Sequence, residues 1–357
     1  MEEVQKSCPN CGAVNNVSEF GNRQYSNDGL SYECRVCVNI RSANYKKTIK
    51  GHLQALLDNA KKSAKHRQEN NRVEAGKIDI DISDLEGLYK NQKGLCYYSG
   101  IVMNSDRNDF KMSLERLNPD LGYIKGNIAL TCIEFNNISQ WTHEKINEML
   151  HILKQNITDN PANFEVNTEQ RNKQTVVYST IDGIEYAQCT WCNINKTLDT
   201  FTTNVYRGCY ECRKIKVQIA NSSPRGTLLQ LFHSAKGHTK RREGTKNTAR
   251  DNSFDIDLNV LIDKYNEQKG LCAYSGIPLR FGHHLENNWK VSLERIDVFK
   301  GYVKDNICLI CLEFQAADKS VIYKDNTLGN SGWTKDKFQY FLTKVQEKYA
   351  NENKAEV

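Results

Sequence analysis

Eight of the 13 cysteines lie in four C-x-x-C pairs, a spacing at which two thiolates can bind one zinc ion. The odd total and the acidic, polar start of the chain favour metal binding in a reducing compartment over disulfides or a redox pair. Segments of this size cannot bury a sufficient core, so each ion is expected to hold its segment folded around Phe20 or Phe201. The pairs form two predicted zinc ribbons: Cys8, Cys11, Cys34 and Cys37, then Cys189, Cys192, Cys209 and Cys212.

A second group of residues combines a carboxylate with an amide. Residues 111–117 alternate apolar and polar side chains, which predicts a half-buried strand carrying Glu115. A second short strand is predicted at 128–131, and a helix is predicted to start near residue 134, with Asn136 in its first turn. A carboxylate and an amide carbonyl oxygen that face one point are suitable ligands for Mg²⁺. The sequence therefore predicts a magnesium site at this place.

The segment 113–136 recurs at 292–315, with no gap between the matched positions. The order of elements around the segment, from cysteine ribbon to closing helix, recurs as well. We interpret the chain as an internal duplication. The matched pairs are Glu115 with Glu294, Arg116 with Arg295, Tyr123 with Tyr302, Asn127 with Asn306, and Asn136 with Gln315.

These motifs together resemble the HNH nucleases of the His-Me finger, or ββα-metal, group, which includes restriction endonucleases and homing-type proteins of phages and giant viruses. Such nucleases combine an N-terminal zinc ribbon with an Asp-Arg strand motif, a Gly-Tyr turn, a middle Asn and an Asn at a helix start. Glu115 and Arg116 stand at the Asp-Arg position, and Asn127 is the middle Asn. The resemblance implies an α+β fold, a tandem duplication of a zinc ribbon plus a ββα-metal domain.

The predicted metal ligands differ from the family pattern in two ways. Both repeats have Glu where the family has Asp, and the second repeat has Gln315 where the first has Asn136. The amide oxygen is retained, but the longer side chain changes its reach. Magnesium would be held by Glu115 and Asn136 in the first repeat and by Glu294 and Gln315 in the second, and the first site is expected to be the better one.

The general base of the family is also absent, because Arg116 and Arg295 stand where most HNH nucleases have histidine. A guanidinium stays protonated and cannot accept a proton from water, but it can hold the scissile phosphate. In a restriction endonuclease of the group, a tyrosine on the helix before the hairpin is the proposed catalytic group, and Tyr89 and Tyr265 match that place. The alternative for both tyrosines is a core position with the hydroxyl at the surface.

Two further sets of polar residues have roles outside the metal site. Asn127 and Asn306 are expected to fix the hairpins so that the active residues point inward.

The net charge of +6 is only mildly basic, so a nucleic-acid surface must be local. The alternative for the basic residues is a solvated helix face. The predicted DNA-binding residues are Lys61, Lys65, Arg67, Lys236, Lys240, Arg241 and Arg242.

The predicted domain organisation follows from the repeats. No apolar run is long enough to cross a membrane, and no secretory signal is evident, so the protein is expected to lie inside the cell, in the cytoplasm or nucleus. The predicted segments are zinc ribbon 1 at 1–50, HNH-like domain 1 at 51–156, a linker at 157–174, zinc ribbon 2 at 175–225, HNH-like domain 2 at 226–350 and a tail at 351–357.

The function implied by the resemblance is Mg²⁺-dependent, site-specific cleavage of double-stranded DNA, of homing or restriction type. The two repeats would form a single-chain, monomeric pseudo-dimer, and the two zinc ions would be structural. Two alternatives remain open. The chain can be a non-catalytic, zinc-dependent DNA-binding protein, or a nickase in which only the first half is active.

Overall fold

The computed structural model describes residues 4–105, 109–136, 141–165, 176–201, 208–243, 251–282, 288–297, 299–315 and 333–355. The fold is mixed α+β, with small sheets and helices. It divides into two compact units: unit 1 comprises 1–136 with 341–357, and unit 2 comprises 137–340. This division does not coincide with the predicted boundaries at 156 and 350, because the segment 137–156 packs within unit 2 and the C-terminal segment packs within unit 1.

Unit 1 begins with the first cysteine ribbon. Two antiparallel hairpins carry Cys8, Cys11 and Cys34, and the helix that follows directly from Cys34 carries Cys37. The elements are β1 (Gln5–Ser7), β2 (Val14–Asn16), β3 (Phe20–Asn22), β4 (Leu30–Cys34) and α1 (Arg35–Lys47).

Two helices and a strand pair form the rest of the unit 1 core. Helix α2 (Ile49–Glu69) is capped by the Thr48 hydroxyl, and it buries Leu53, Leu57, Ala60 and Ala64 at a spacing of three to four residues. Helix α3 (Ile82–Asn91) begins at a capping box formed by Asp81 and Asp84. Strands β5 (Met112–Arg116) and β6 (Ile128–Cys132) pair antiparallel, which confirms both predicted strands.

Unit 2 contains the second ribbon and the second strand pair. A three-stranded sheet follows the first helix of this unit, and a hairpin turn within the sheet lies at Asp182 and Gly183, both at positive φ. The elements are α4 (His143–Lys154), β7 (Tyr178–Ile181), β8 (Ile184–Gln188), β9 (Asn195–Thr197), α5 (Tyr210–Ser222), α6 (Pro224–Glu243), α7 (Leu258–Glu267), β10 (Val291–Arg295) and β11 (Ile307–Cys311). The last helix, α8 (Lys335–Ala355), begins in unit 2 and belongs to unit 1 from residue 341.

Large aromatic side chains fill the core of unit 2. The ring of Phe314 lies 5.9 Å from that of Trp141 and 5.2 Å from that of Trp333, measured between centroids. A buried ion pair lies beside them, with Lys145 Nζ 3.3 Å from Glu313 Oε1. Because Glu313 also accepts a hydrogen bond from the Trp289 backbone N–H at 3.1 Å, two partners hold this buried carboxylate.

One prediction about local structure is wrong, and the structure describes parts of two other predicted segments. Residues 133–136 form a turn, not the first turn of a helix, because Phe135 N–H donates to Cys132 O at 2.9 Å. The described part of the predicted linker, 157–165, packs within unit 2, with Asn160 N–H donating to Lys269 O at 2.9 Å. The predicted tail is helical to its residue 355. Residues 166–175 lie outside the described part of the chain.

Candidate functional site

The first ribbon brings four sulfurs to one point. The Sγ atoms of Cys8, Cys11, Cys34 and Cys37 all lie within 4.8 Å of one another. Cys8 Sγ is 3.8 Å from Cys37 Sγ, and Cys11 Sγ is 4.0 Å from Cys34 Sγ. Sulfurs bound tetrahedrally to one zinc ion are about 3.8 Å apart. The four thiols can therefore hold a zinc ion with little rearrangement.

Backbone N–H groups prepare the Cys8 sulfur to bind a cation. The Cys34 N–H donates to Cys8 Sγ at 3.3 Å, and this contact is the main cause that lowers the pKa of Cys8 to about 6. Two backbone hydrogen bonds close the turn that begins at Cys8. Cys8 N–H donates to Ala13 O at 2.9 Å, and Gly12 N–H donates to Cys8 O at 2.8 Å. Gly12 has a φ of +71°, a conformation that glycine adopts without strain.

The second ribbon repeats this geometry in unit 2. The sulfurs of Cys189, Cys192, Cys209 and Cys212 lie within 4.8 Å of one another. Cys209 N–H donates to Cys189 Sγ at 3.3 Å. Phe201 packs against these cysteines, as Phe20 does in the first ribbon, which confirms both predicted core residues.

The turn that begins at Cys96 has the backbone geometry of a ribbon knuckle but fewer thiols. Cys96 N–H donates to Ile101 O at 2.8 Å, Gly100 N–H donates to Cys96 O at 2.9 Å, and Cys132 N–H donates to Cys96 Sγ at 3.3 Å. Ser99 occupies the place of the second cysteine. Within the described residues, the only groups of metal-binding side chains that converge in this way are the two ribbons.

Glu115 is a buried carboxylate of unit 1. It is 8% exposed, and its Oε2 atom is buried without a hydrogen-bond partner among the described residues. Burial raises the pKa of Glu115 to about 7, although the charge of Arg116 acts in the opposite direction. A buried carboxylate oxygen that lacks a partner is suited to a cation ligand.

Asn136 lies against the same strand as Glu115. Its Nδ2 atom donates to Ser113 Oγ at 2.9 Å and to Leu114 O at 3.0 Å. Because these bonds engage the amide nitrogen, the carbonyl oxygen is the atom that remains for a cation. The structure thus brings Asn136 to β5 beside Glu115, although a turn and not a helix positions it.

The matched residues of unit 2 are bonded to one another. Glu294 is completely buried, and Gln315 Nε2 donates to Glu294 Oε2 at 3.3 Å and to Leu293 O at 3.0 Å. Gln315 Oε1 accepts a hydrogen bond from the Ser292 hydroxyl. Both polar atoms of the glutamine are therefore engaged within the protein, in contrast to the asparagine of unit 1.

The two arginines of the strand motif hold the turns that follow them. Arg116 Nη1 donates to Pro119 O at 2.6 Å and to Leu121 O at 2.8 Å. Arg295 Nη1 donates to Lys300 O at 3.2 Å, and this arginine is 1% exposed, so it is not at the surface. The structure gives both guanidiniums a structural role, and the half-buried Arg116 is the one that solvent reaches.

Asn127 and Asn306 close these same hairpins. Asn127 Nδ2 donates to Gly122 O at 2.8 Å, and its Oδ1 accepts from Asn118 N–H at 2.8 Å. Asn306 makes the matching bonds. Its Nδ2 donates to Gly301 O at 2.9 Å, and its Oδ1 accepts from Asp297 N–H at 2.8 Å. These geometries are those of residues that position the loop.

The environments of Tyr89 and Tyr265 favour packing over catalysis. Tyr265 is 1% exposed, its hydroxyl donates to Asn160 O at 2.7 Å, and burial raises its pKa to about 12. A Cβ atom on Gly270 would lie 2.7 Å from this hydroxyl. Tyr89 is half-buried and covers Gly94 in the same manner, with a corresponding distance of 2.9 Å.

Most of the predicted DNA-binding side chains face solvent. Lys61 and Lys65 are exposed on α2, whereas Arg67 is half-buried. Lys236, Lys240 and Arg241 are exposed on α6, and the side chain of Arg242 lies outside the described part of the structure. The sequence analysis missed Arg72, whose charge acts on Arg116. The only feature of the sequence that could have indicated this residue is its position just after α2.

No family model, curated protein or solved structure shows a significant match to this chain. Among the helices that the structure describes, none has the length and apolar character needed to cross a membrane.

The ribbons predict a zinc content of two ions per chain, measured by inductively coupled plasma mass spectrometry on reduced protein. Cys34→Ser should remove one ion, because three thiolates do not close a tetrahedral site. Cys96→Ser is the matched control, since Cys96 lies in a similar turn outside the ribbons, and it should leave both ions bound. A wild-type content below two, or loss of zinc from the control, contradicts the assignment.

Glu115 predicts a pH-dependent stability in Mg²⁺-free buffer. Its pKa of about 7 in the folded state exceeds the ordinary value of 4.5, so between these pH values the folded state keeps a proton that the unfolded state releases. Stability is lost as pH rises through this window, by up to about 3 kcal/mol. Glu115→Gln should remove this loss. Measured by urea unfolding, the free energy of unfolding of the variant should therefore increase relative to that of the wild type between pH 5 and 8. If the difference in free energy of unfolding between the variant and the wild type does not change with pH, the raised pKa of Glu115 is contradicted.

Proposed function

We propose that this chain is a Mg²⁺-dependent endonuclease of the HNH type that acts on double-stranded DNA. The observation that carries the proposal is the buried, unpartnered Oε2 atom of Glu115 beside the fixed amide of Asn136. The two ribbons support it as structural zinc sites. The tandem repeat supports a pseudo-dimer in which each ββα-metal domain addresses one DNA strand.

Glu115 and Asn136 would hold the magnesium ion, and the donor set fits, because both supply oxygen atoms. When bound, Mg²⁺ supplies Lewis-acid stabilisation of the charge on the phosphate and the leaving oxygen. Arg116 holds the turn beside the site and orients the phosphate. As a guanidinium it does not accept the proton of the attacking water, so a different group or the solvent has that role.

The two repeats are proposed to differ in activity. In unit 2 the amide of Gln315 donates to Glu294 and accepts from Ser292, so a cation must first break contacts that unit 1 lacks. Cys308 also stands opposite Glu294 in the strand register, where Ala129 stands opposite Glu115. These differences favour cleavage of one strand before the other, and thus a nicked intermediate.

A non-catalytic, zinc-dependent DNA-binding protein is the second candidate. The closed carboxylate–amide contact of unit 2 favours it, because a site satisfied within the protein has no need of a metal ion. Both candidates retain the basic faces of α2 and α6. They differ in whether Mg²⁺ produces a cut.

Strand-resolved cleavage of an end-labelled duplex and of supercoiled plasmid, with Mg²⁺ and with Mg²⁺ omitted, tests the proposal. Glu115→Ala should lower cleavage of one strand by about a hundredfold, the scale on which misplaced catalytic groups act. Glu294→Ala should have a smaller effect, and Gln315→Asn should raise cleavage of the other strand.

Zinc content and DNA affinity, measured on the same preparations, are the controls for folding of these variants. Equal losses for Glu115→Ala and Glu294→Ala contradict the proposed asymmetry. No Mg²⁺-dependent cleavage by the wild type on any DNA supports the binding-protein alternative.

A further inference from the structure

The two repeats end in helices that begin with the same two residues. Trp141 and Thr142 precede α4, and Trp333 and Thr334 precede α8. In each case the threonine hydroxyl accepts a hydrogen bond of 3.1 Å from the backbone N–H three residues later, so the two helices are capped alike. Helices α4 and α8 therefore hold matched positions at the ends of the two repeats.

The helix that ends the first repeat packs on residues of the second repeat. We call residues 141–165, which comprise α4 and the chain after it, the first arm. The ring centroid of Trp141 lies 6.0 Å from that of Trp289. The buried ion pair of Lys145 is likewise formed with a carboxylate of the second repeat, that of Glu313. All of these residues belong to unit 2, so the first arm completes the core of the other repeat.

Polar contacts continue along the first arm. Glu148 Oε1 lies 3.0 Å from Arg280 Nη1, and Glu148 Oε2 accepts a hydrogen bond of 2.6 Å from Asn288 Nδ2. Farther on, the carbonyl oxygen of Asn160 would lie only 2.1 Å from a Cβ atom on Gly270, whose φ is +68°. The second repeat thus has a glycine at the place where the arm approaches its backbone most closely.

The helix that ends the second repeat contacts the first repeat in the same sense. We call residues 341–355 the second arm, and they belong to unit 1. The ring centroid of Phe341 lies 5.2 Å from that of Phe135. Lys348 Nζ donates to the carbonyl oxygen of Tyr97 at 2.6 Å. Both arms therefore leave their own repeat and pack on the other one.

The exchange begins at different points in the two helices. The start of α8 remains with its own repeat, since the ring of Phe338 lies 5.2 Å from that of Phe314, measured between centroids. From residue 341 onwards the same helix belongs to unit 1. Helix α4 lies wholly within unit 2, so the first arm is exchanged over its full length.

We propose that the two repeats are interlocked by reciprocal exchange of the two arms, so that neither repeat completes its fold without a segment of the other. Trp141 and Phe341 are both completely buried. Removal of an arm would expose these rings and would leave the buried carboxylate of Glu313 without its cation, and both changes lower stability. Exchange of matched elements is a common way in which two similar folds become joined.

The arms also support the turns that carry the candidate amide ligands. Phe135, under the second arm, directly precedes Asn136, and Phe314, which contacts Trp141 of the first arm, directly precedes Gln315. Each arm thus buttresses the candidate site of the other repeat. That these sites bind a metal ion rests on the proposed function. The exchange itself does not.

A single cut in the full-length, zinc-loaded protein tests the interlock. A protease site is inserted within 166–175, the segment that follows the first arm, and a denaturing gel verifies the cut. The two fragments should elute together in size-exclusion chromatography with light scattering, as one species with the mass of the uncut chain, and separate only in urea. Two chains that end and begin at this site, produced together, should form the same species. Fragments that separate in native buffer overturn the proposal.

Three variants of the cut protein then identify what holds the fragments together. Glu148→Ala removes the polar contacts of the first arm, and its half-buried position should leave folding intact. Lys348→Ala removes the hydrogen bond of the second arm to Tyr97. Glu144→Ala is the matched control, because it removes the same charge from an exposed position on the same helix as Glu148. The readout is the rate at which the N-terminal fragment leaves a C-terminal fragment that is held on a column by a tag.

Release should be about tenfold faster in Glu148→Ala, severalfold faster in Lys348→Ala and unchanged in Glu144→Ala. Equal release rates in the three variants overturn the proposal, because the fragments are then held by something other than the arms. Faster release in Glu148→Ala alone overturns the reciprocity and limits the exchange to the first arm. Since DNA and Mg²⁺ are absent from these measurements, their outcome does not depend on whether the protein is a nuclease.

Discussion

The antiparallel register of β5 with β6 determines where the candidate site of unit 1 lies. It sets Glu115 opposite Ala129 and Arg116 opposite Ile128, and the Leu114 carbonyl then receives the Asn136 amide. Since side chains alternate along a strand, a slip of one residue would turn Glu115 to the other face. The hydrogen bonds of Asn127 to the loop that joins the two strands fix the hairpin at its loop end, so this residue supports the register without a chemical role of its own.

The same register in unit 2 shows how little separates an open site from a closed one. Glu294 and Gln315 occupy the matching positions, yet one additional methylene lets the amide donate to the carboxylate itself. The oxygen that a cation would need is then engaged by Ser292. We propose that the first repeat retained metal-dependent chemistry, whereas the second retained the fold and its basic surface.

Patterns that depend on local spacing could be predicted from the sequence, and contacts between distant segments could not. The C-x-x-C spacings predicted the ribbons because a knuckle is formed by consecutive residues, and alternation predicted β5 and β6. The helix expected near residue 134 is a turn, because backbone bonds close the chain there. The segment with Asn160 looked like a solvated linker, but its contact with Tyr265 lies 105 residues away in the sequence. The approach of Arg67 and Arg116 to the ring of Tyr123 could likewise not be predicted, since α2 and β5 bring these residues together only in the folded chain.

Anomalous diffraction from crystals soaked in Mn²⁺, which replaces Mg²⁺ at oxygen ligands, tests the central claim most directly. The account predicts one manganese peak between Glu115 and Asn136, none beside Glu294, and separate zinc peaks at the two ribbons. Manganese at both carboxylates would contradict the difference between the repeats. Manganese at neither, in crystals whose Glu115 is open to solvent channels, would contradict the metal site on which the proposed function depends.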